Sequence, residues 1–311
     1  MTVLCIFGGG AAALLALGPP ERRGPAPLPV ATTPANAAAA PAAWDGHIPP
    51  PDPALLEPSR GRTPVLLPRI GVDGRLPRIA YRRPTPPGSR PRIALILTGI
   101  GQNAGDSRAA IAKLPGAVTL AFSAYVPDPA PLLSDARTAG HELLASIPME
   151  PDGYPLIDAG PLSLLTGSTP AQNAEFLLVA LGRSQGYAGA TGASDGMRGE
   201  QFARQTSSFG LMLDELARRG LFYIDPRPGA PAPPIAGRSA DLIVDDPASR
   251  AEIEGKLAAL ERLAREHGSA LGIAGPPRPV TVERIAAWSR ELDSRGIDLV
   301  PVSALVLEPK P

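Results

Sequence analysis

Apolar runs of strand length alternate with amphipathic stretches along the chain from Arg92 onward. The predicted strands are residues 93–97, 118–122, 142–147, 187–191, 221–224, 242–244, 270–273 and 299–302. The predicted helices are residues 107–114, 129–139, 170–184, 201–219, 247–266 and 282–294. The helical pattern is clearest before Gly268, where Ile253, Leu257 and Leu260 recur on one face. The sequence therefore predicts an α/β fold.

Strands that alternate with helices over about 220 residues form a parallel sheet with helices outside it. Seven or eight strand–helix units favour a closed barrel, and an open sheet is the alternative. The glycine patterns of dinucleotide-binding loops and of P-loops do not follow any predicted strand. The pattern therefore gives no support to nucleotide binding.

The amino-terminal third of the chain has a different composition. Residues 1–18 are apolar and uncharged, which predicts a secretory signal or membrane anchor, with an Ala/Gly-rich tail as the alternative. Residues 19–66 are rich in proline and alanine and predict a disordered spacer. Residues 67–91 contain an Asp-Gly turn and predict an arm that packs on the domain formed by residues 92–311.

Charge and cysteine content exclude several classes of function. The 30 basic and 30 acidic residues cancel, so no net field attracts nucleic acid. The single cysteine, Cys5, excludes an intrachain disulfide and a zinc site built from cysteines.

The predicted strand ends are polar and acidic but poor in histidine. In a β/α barrel the ligand site forms at the carboxyl ends of the strands. The three histidines are His47, His141 and His267, and none follows a predicted strand. Asp245 and Asp246 do follow one, and we expect them to cap the helix predicted from Pro247 onward.

Several segments together resemble the divergent polysaccharide deacetylase family, a remote branch of the NodB-type carbohydrate esterases. They read RIALILTGIG, LPGAVTLAFSAY, AGHELLASIPMEP, GPLSLLTGSTPAQN, GYAGATG, RRGLFYIDPR and ERIAAWSRELDSRGIDLVPVSAL, and they extend over residues 92–305. The resemblance implies a deformed seven-stranded (β/α) barrel in the periplasm or cell envelope. It also implies a polysaccharide or peptidoglycan glycan as partner and hydrolysis of N-acetyl groups as the activity. Membrane attachment would run through residues 1–18.

The chain departs from the family pattern where the family holds its metal. The acidic pair after the first strand is replaced by Thr98 and Gly99, and a histidine before the PMEP block is replaced by Ser146. The last strand-end histidine of some members is Ala274 or a neighbour. A catalytic divalent metal needs imidazole and carboxylate ligands with an open position. We therefore expect no metal site and no cofactor, and a zinc-like metal only if the family chemistry survives.

Two acidic residues remain as catalytic candidates, Glu150 and Asp225. The substrate-binding candidates are Thr98, Ser146, Asp195 and Arg227. The alternative is structural, with Asp225 paired to Arg227 and Glu150 accepting backbone hydrogen bonds. Two functions stay open: an envelope enzyme that removes acetyl groups from a glycan, and an inactive barrel that binds a glycan or a protein partner.

Overall fold

Strands and helices alternate through residues 44–85 and 87–309, the part of the chain that the structure, a computed structural model, describes. The strands are β1 (Leu56–Pro58), β2 (Leu66–Pro68), β3 (Arg92–Ile100), β4 (Thr119–Phe122), β5 (Leu143–Ser146), β6 (Gly189–Thr191), β7 (Phe222–Asp225), β8 (Gly237–Ser239), β9 (Leu242–Ile243), β10 (Ser269–Ala274) and β11 (Asp298–Val300). The α-helices are α1 (Pro77–Ala80), α2 (Ala104–Lys113), α3 (Ala130–Thr138), α4 (Pro170–Gly182), α5 (Glu200–Arg204), α6 (Thr206–Arg218), α7 (Arg250–His267) and α8 (Pro279–Ser289). The predicted signal or anchor over residues 1–18, and residues 19–43 of the predicted spacer, lie outside these described residues.

A parallel sheet of nine strands forms the centre of the described fold. Its order is β8-β7-β6-β5-β4-β3-β10-β9, and β11 pairs with β3. β10 pairs with residues 92–97 of β3, β11 with residues 92–94 and β4 with residues 96–100. β10 therefore occupies one edge of β3, while β11 and β4 share the other edge. The curled sheet with helices around it confirms the predicted (β/α) barrel, although it has more than seven strands.

Side chains of the central strand divide between two apolar layers. Ile93, Leu95 and Leu97 belong to the larger core cluster, which includes residues of the surrounding helices. Ala94 and Ile96 belong to a second cluster, which includes residues of other strands of the sheet and of the segments that adjoin them. Because side chains alternate between the two faces of a strand, the first cluster lies between sheet and helices and the second inside the barrel.

Within residues 92–309, one strand and one helix differ from the sequence prediction by more than a shift of their ends. β8 was not predicted, because Gly237–Ser239 has no apolar run. The helix predicted over residues 201–219 is two helices, since Gln205 leaves the helical conformation at ψ 83° between α5 and α6. All eight predicted strands are present, with their ends shifted by a few residues.

The amino-terminal part of the described chain packs on the barrel as an arm. β1 and β2 form an antiparallel hairpin, and Ile48, Leu55 and Tyr81 are buried. The Ile48 amide donates to Arg137 O at 3.0 Å, and the Arg83 amide donates to the Glu142 carboxylate at 3.1 Å. The packed arm therefore begins before the predicted boundary at residue 67. Within the described ranges, no helix has both the length and the apolar content to cross a membrane.

Candidate functional site

The carboxyl end of β3 forms an irregular edge beside β10. The β3–β4 register shifts between Leu97 and Ile100, so Thr98 and Gly99 lie in a bulge. Gly99 has φ 74°, a left-handed conformation that favours glycine. Thr98 is buried. The bulge therefore brings the Thr98 hydroxyl to the end of the sheet, where the sequence predicts a substrate-binding residue.

Gly275 closes tightly over Thr98 at the end of β10. A β-carbon at Gly275 would lie 2.4 Å from Thr98 Oγ1 and 2.6 Å from Thr98 O, and its φ is 133°. These distances are shorter than a van der Waals contact, so only glycine fits here without a backbone shift. A larger residue cannot present a ligand from this position in the present backbone.

Asp245 is the buried carboxylate at this edge, although its sequence context predicts a helix cap. Its two carboxylate oxygens accept from the Gly275 amide at 3.1 Å, and Oδ2 also accepts from Thr281 Oγ1 at 2.9 Å. Arg278 Nη1 lies 3.7 Å from Oδ2. Burial raises the pKa of Asp245, while the bonds from Thr281 and Gly275 and the charge of Arg278 act in the opposite direction.

The predicted capping role of Asp245 and Asp246 is wrong. The helix begins at Arg250 and is capped by Ser249, whose side chain accepts from the Glu252 amide. Asp246 instead lies 3.7 Å from Arg198. Both aspartates directly follow a predicted strand, and that position is the signal that could have assigned Asp245 to the carboxyl edge.

Glu150 forms hydrogen bonds with the backbone of neighbouring loops. Its side chain is buried, and Oε2 accepts a hydrogen bond from the Thr166 amide. Its backbone is also engaged, because its amide donates to Leu164 O at 2.9 Å and its carbonyl accepts from Phe202 at 3.2 Å. These bonds match the structural alternative for Glu150, in which it holds the loop after β5.

Asp225 and Arg227 pair with each other. Asp225 Oδ1 accepts from Arg227 Nε at 2.9 Å, and Oδ2 accepts from Nη2 at 2.6 Å. The guanidinium carbon lies 5.5 Å from the ring centroid of Phe209 on α6. Asp225 alternates on β7 with Ile224, which is in the inner cluster, so it faces the helix layer. Asp225 and Arg227 therefore form a bidentate ion pair that packs against α6. This arrangement is the one that the structural alternative describes.

The two remaining candidates differ in their exposure. Ser146 shares the inner face of β5 with Leu144, and its buried Oγ has no hydrogen-bond partner among the described residues. Asp195 is exposed in a two-residue turn, with φ 49° and Gly196 at φ 80°, and the amide and carbonyl of Ser194 and Met197 bond each other. The Ser146 hydroxyl is thus both buried and without a partner in the described chain, whereas Asp195 has the conformation of a type I′ turn.

The side chains present do not fit a catalytic divalent metal. Over residues 44–85 and 87–309, no three histidine, cysteine, aspartate or glutamate side chains converge as a metal site. His141 Nδ1 lies 2.8 Å from Val118 O in the interior, and His47 Nδ1 lies 2.6 Å from Thr138 O. His267 is the last residue of α7. The edge instead exposes the Arg278 guanidinium beside the buried Asp245 carboxylate, and a guanidinium can donate hydrogen bonds to a neutral polyhydroxylated ligand.

Comparisons with known proteins agree with this fold. A family model described as divergent polysaccharide deacetylase matches residues 95–306. The chain is similar to an uncharacterised Haemophilus influenzae protein, at 27% identity over 233 residues, which are 71% of this chain and 80% of that protein. It is also similar to the crystal structure of an uncharacterised Agrobacterium tumefaciens protein. The TM-score is 0.72 and the identity 33%, over 78% of this chain and 100% of that one. The chain therefore belongs to the divergent polysaccharide deacetylase family.

Proposed function

We propose that the protein binds a polysaccharide or peptidoglycan glycan at the carboxyl edge of its barrel and does not carry out metal-dependent deacetylation. Family membership supports the glycan as ligand class. The observation that carries the proposal is the Asp245–Arg278 pair. The buried carboxylate is held by Gly275 and Thr281, and the arginine side chain beside it is 48% exposed.

Sugar hydroxyls both donate and accept hydrogen bonds. The exposed Arg278 guanidinium donates to hydroxyl oxygens, and Asp245 holds that guanidinium at the edge of the barrel. Sites of this kind contain a few fixed polar groups.

The identities of the strand-end residues oppose the metal-dependent reaction. Thr98 and Gly99 stand where the resemblance implies an acidic pair, and Gly275 leaves no room for an imidazole. Asp225 is bonded by Arg227. A metal that lowers the pKa of bound water needs ligands that these positions do not provide.

The proposed location is the periplasm or cell envelope. The apolar, uncharged residues 1–18 support this location, because such a segment can act as a cleaved signal or as an inner-membrane anchor. Fractionation of cells that express the full chain tests it, because a cytoplasmic protein of full length would contradict the proposal.

Binding of the full-length protein to insoluble peptidoglycan and to N-acetylated polysaccharides tests the function. Arg278→Ala should weaken binding roughly 10- to 150-fold, since a hydrogen bond to a charged group contributes about 1.5–3 kcal/mol. Asp246→Asn, at the neighbouring exposed aspartate, is the matched control and should bind as the wild type does. Equal binding by wild type and Arg278→Ala, or the absence of binding to any of these glycans, would contradict the proposed site.

A further inference from the structure

An exposed apolar segment follows β5 at the carboxyl edge of the barrel. Residues 153–157 read GYPLI, and we call them the apolar loop. Leu156 is 96% exposed, and Tyr154 and Ile157 are exposed as well. Single exposed apolar side chains are common on protein surfaces, but a contiguous group is typical of a contact site. Covering these three side chains would be favourable, at a gain that grows with the apolar area removed from water.

The segments on both sides of the apolar loop are bonded to other parts of the edge. Before the loop, Asp152 forms an ion pair with Arg204 of α5. After the loop, Ala159 O accepts from the Tyr125 hydroxyl at 2.7 Å, and the oxygen of that hydroxyl accepts from the Leu162 amide at 3.1 Å. The apolar side chains are therefore presented from a bonded loop, which lowers the ordering entropy that a ligand must overcome.

The apolar loop lies on the same edge of the barrel as Arg278. β10, β3, β4 and β5 are consecutive strands of the sheet. The segments after β10, β3 and β4 touch, because a β-carbon at Gly99 would lie 3.0 Å from Pro276 Cβ and one at Gly101 would overlap Val126. Three strand spacings separate β10 from β5, which is roughly 14 Å along the sheet. A single sugar does not span that distance, whereas an oligosaccharide does.

The extent and the charge of this surface favour an uncharged small ligand over a protein or an anionic bilayer. The other exposed large apolar side chains of the described ranges lie in the arm, on α6 and near the carboxyl terminus, at Leu66, Ile70, Val72, Ile79, Leu211 and Leu307. The apolar surface at the carboxyl edge is thus confined to one loop, whereas a specific protein interface takes roughly 20–30 residues from each partner. The nearest charged residues in sequence are Asp152 and Asp158, and acidic groups are repelled by anionic lipids.

We propose that the apolar loop is a second contact for the glycan, with the Tyr154 ring and the Leu156 side chain against the C–H face of a sugar ring. A pyranose ring carries hydroxyl groups around its rim and C–H groups on its faces. Apolar side chains can therefore cover the face of one sugar while Arg278 donates to the hydroxyl groups of another. This inference rests on the proposed function, and it narrows the ligand class to an extended oligosaccharide of uncharged sugars.

Titration calorimetry of the full-length protein with soluble oligomers of N-acetylglucosamine, from the dimer to the hexamer, tests the inference. Affinity should rise with length as the oligomer reaches from Arg278 to the apolar loop. Tyr154→Ala should weaken hexamer binding about tenfold, the order of one aromatic contact, and should remove most of the rise with length. Leu156→Ser should weaken it about fourfold, the effect of about one buried methylene. Tyr154→Phe keeps the ring and should bind as the wild type does.

Control variants separate the apolar loop from other exposed apolar surface and from Arg278. Val72→Ser is the matched control, because Val72 is 90% exposed in the arm, and it should bind the hexamer as the wild type does. Hexamer binding that Arg278→Ala weakens and Tyr154→Ala does not would overturn the inference and leave the proposed function standing. An equal loss of affinity in Val72→Ser would also overturn the inference.

Two further outcomes would overturn the inference. The first is binding to vesicles of phosphatidylcholine that Leu156→Ser abolishes, since a membrane would then cover the apolar loop. The second is the absence of hexamer binding by the wild type, and the assay with insoluble peptidoglycan then decides the proposed function separately.

Discussion

Replacing Glu142 with glutamine should change how the stability of the protein depends on pH. Glu142 is fully buried at the start of β5, where its carboxylate accepts from the Arg83 amide at 3.1 Å and from the Ser303 amide at 3.0 Å. It thereby joins the arm and the 3-10 helix Val302–Leu305 to the sheet. Burial raises its pKa from 4.5 to about 7, and the hydrogen bonds from Ser303 and Arg83 oppose that rise only in part.

The wild type should lose stability relative to Glu142→Gln as the pH rises, because folding raises the pKa of Glu142. Between pH 4.5 and about 7 the folded protein holds the Glu142 proton more tightly than the unfolded chain does. Stability from this group is therefore fully present at low pH and is lost as the pH rises through that window. At about 1.4 kcal/mol for each pKa unit, the loss between pH 4 and pH 8 is about 3 kcal/mol. Because glutamine does not ionise, the Glu142→Gln variant should not lose this stability as the pH rises.

Urea unfolding of both proteins at several values between pH 4 and pH 8 measures this difference. The free energy of unfolding of Glu142→Gln minus that of the wild type should grow by about 3 kcal/mol across the range. A lost hydrogen bond in the variant adds an offset that does not depend on pH. Glu266→Gln, at an exposed position of α7, is the control and should run parallel to the wild type. Parallel curves for Glu142→Gln and the wild type would contradict a raised pKa of Glu142 in the folded protein.

Further substitutions test the geometry of the carboxyl edge and its neighbours. Gly275→Ala should lower the free energy of unfolding by about 2 kcal/mol or more in the same assay, because of the positive φ and the close approach of Thr98. Gly255→Ala, in open space on α7, should raise it by about 0.5–1 kcal/mol, and destabilisation there would contradict the open environment. Asp225→Asn should cost about 2 kcal/mol because it breaks the bonds to Arg227. In an Arg227→Met background, Asp225→Asn should change the free energy of unfolding only slightly. A loss of about 2 kcal/mol in that background too would contradict a stabilising Asp225–Arg227 ion pair.

The barrel could be predicted because its elements carry local periodic signals. Apolar runs mark β3 and β10, and the stripe of α7 ends at Gly268, which has φ 79°. β8 carries no such signal, since Gly237–Ser239 is stabilised by pairing with residues 223–225 of β7. The break at Gln205 is likewise invisible in a continuous helical pattern.

The site was predicted less well, because its contacts join residues that are far apart in sequence. Thr98 and Ser146 could be placed at strand ends from the pattern alone. Asp245 could not be assigned correctly, since its partners Gly275 and Thr281 follow 30 and 36 residues later. An Asp-Asp-Pro sequence before a helix also resembles a cap. The local Asp-Asp-Pro motif thus predicted a helix cap, whereas the hydrogen bonds from Gly275 and Thr281 place Asp245 at the carboxyl edge of the sheet.

Acetate release shows directly whether the protein carries out metal-dependent deacetylation. The full-length protein, supplied with zinc, cobalt or nickel, is incubated with N-acetylated polysaccharide and with peptidoglycan. The described residues of the carboxyl edge expose Arg278 and do not bring together a metal's ligands. We therefore expect no acetate above the protein-free control, and glycan binding that Arg278→Ala weakens. Metal-dependent acetate release that Asp245→Asn abolishes would contradict this expectation.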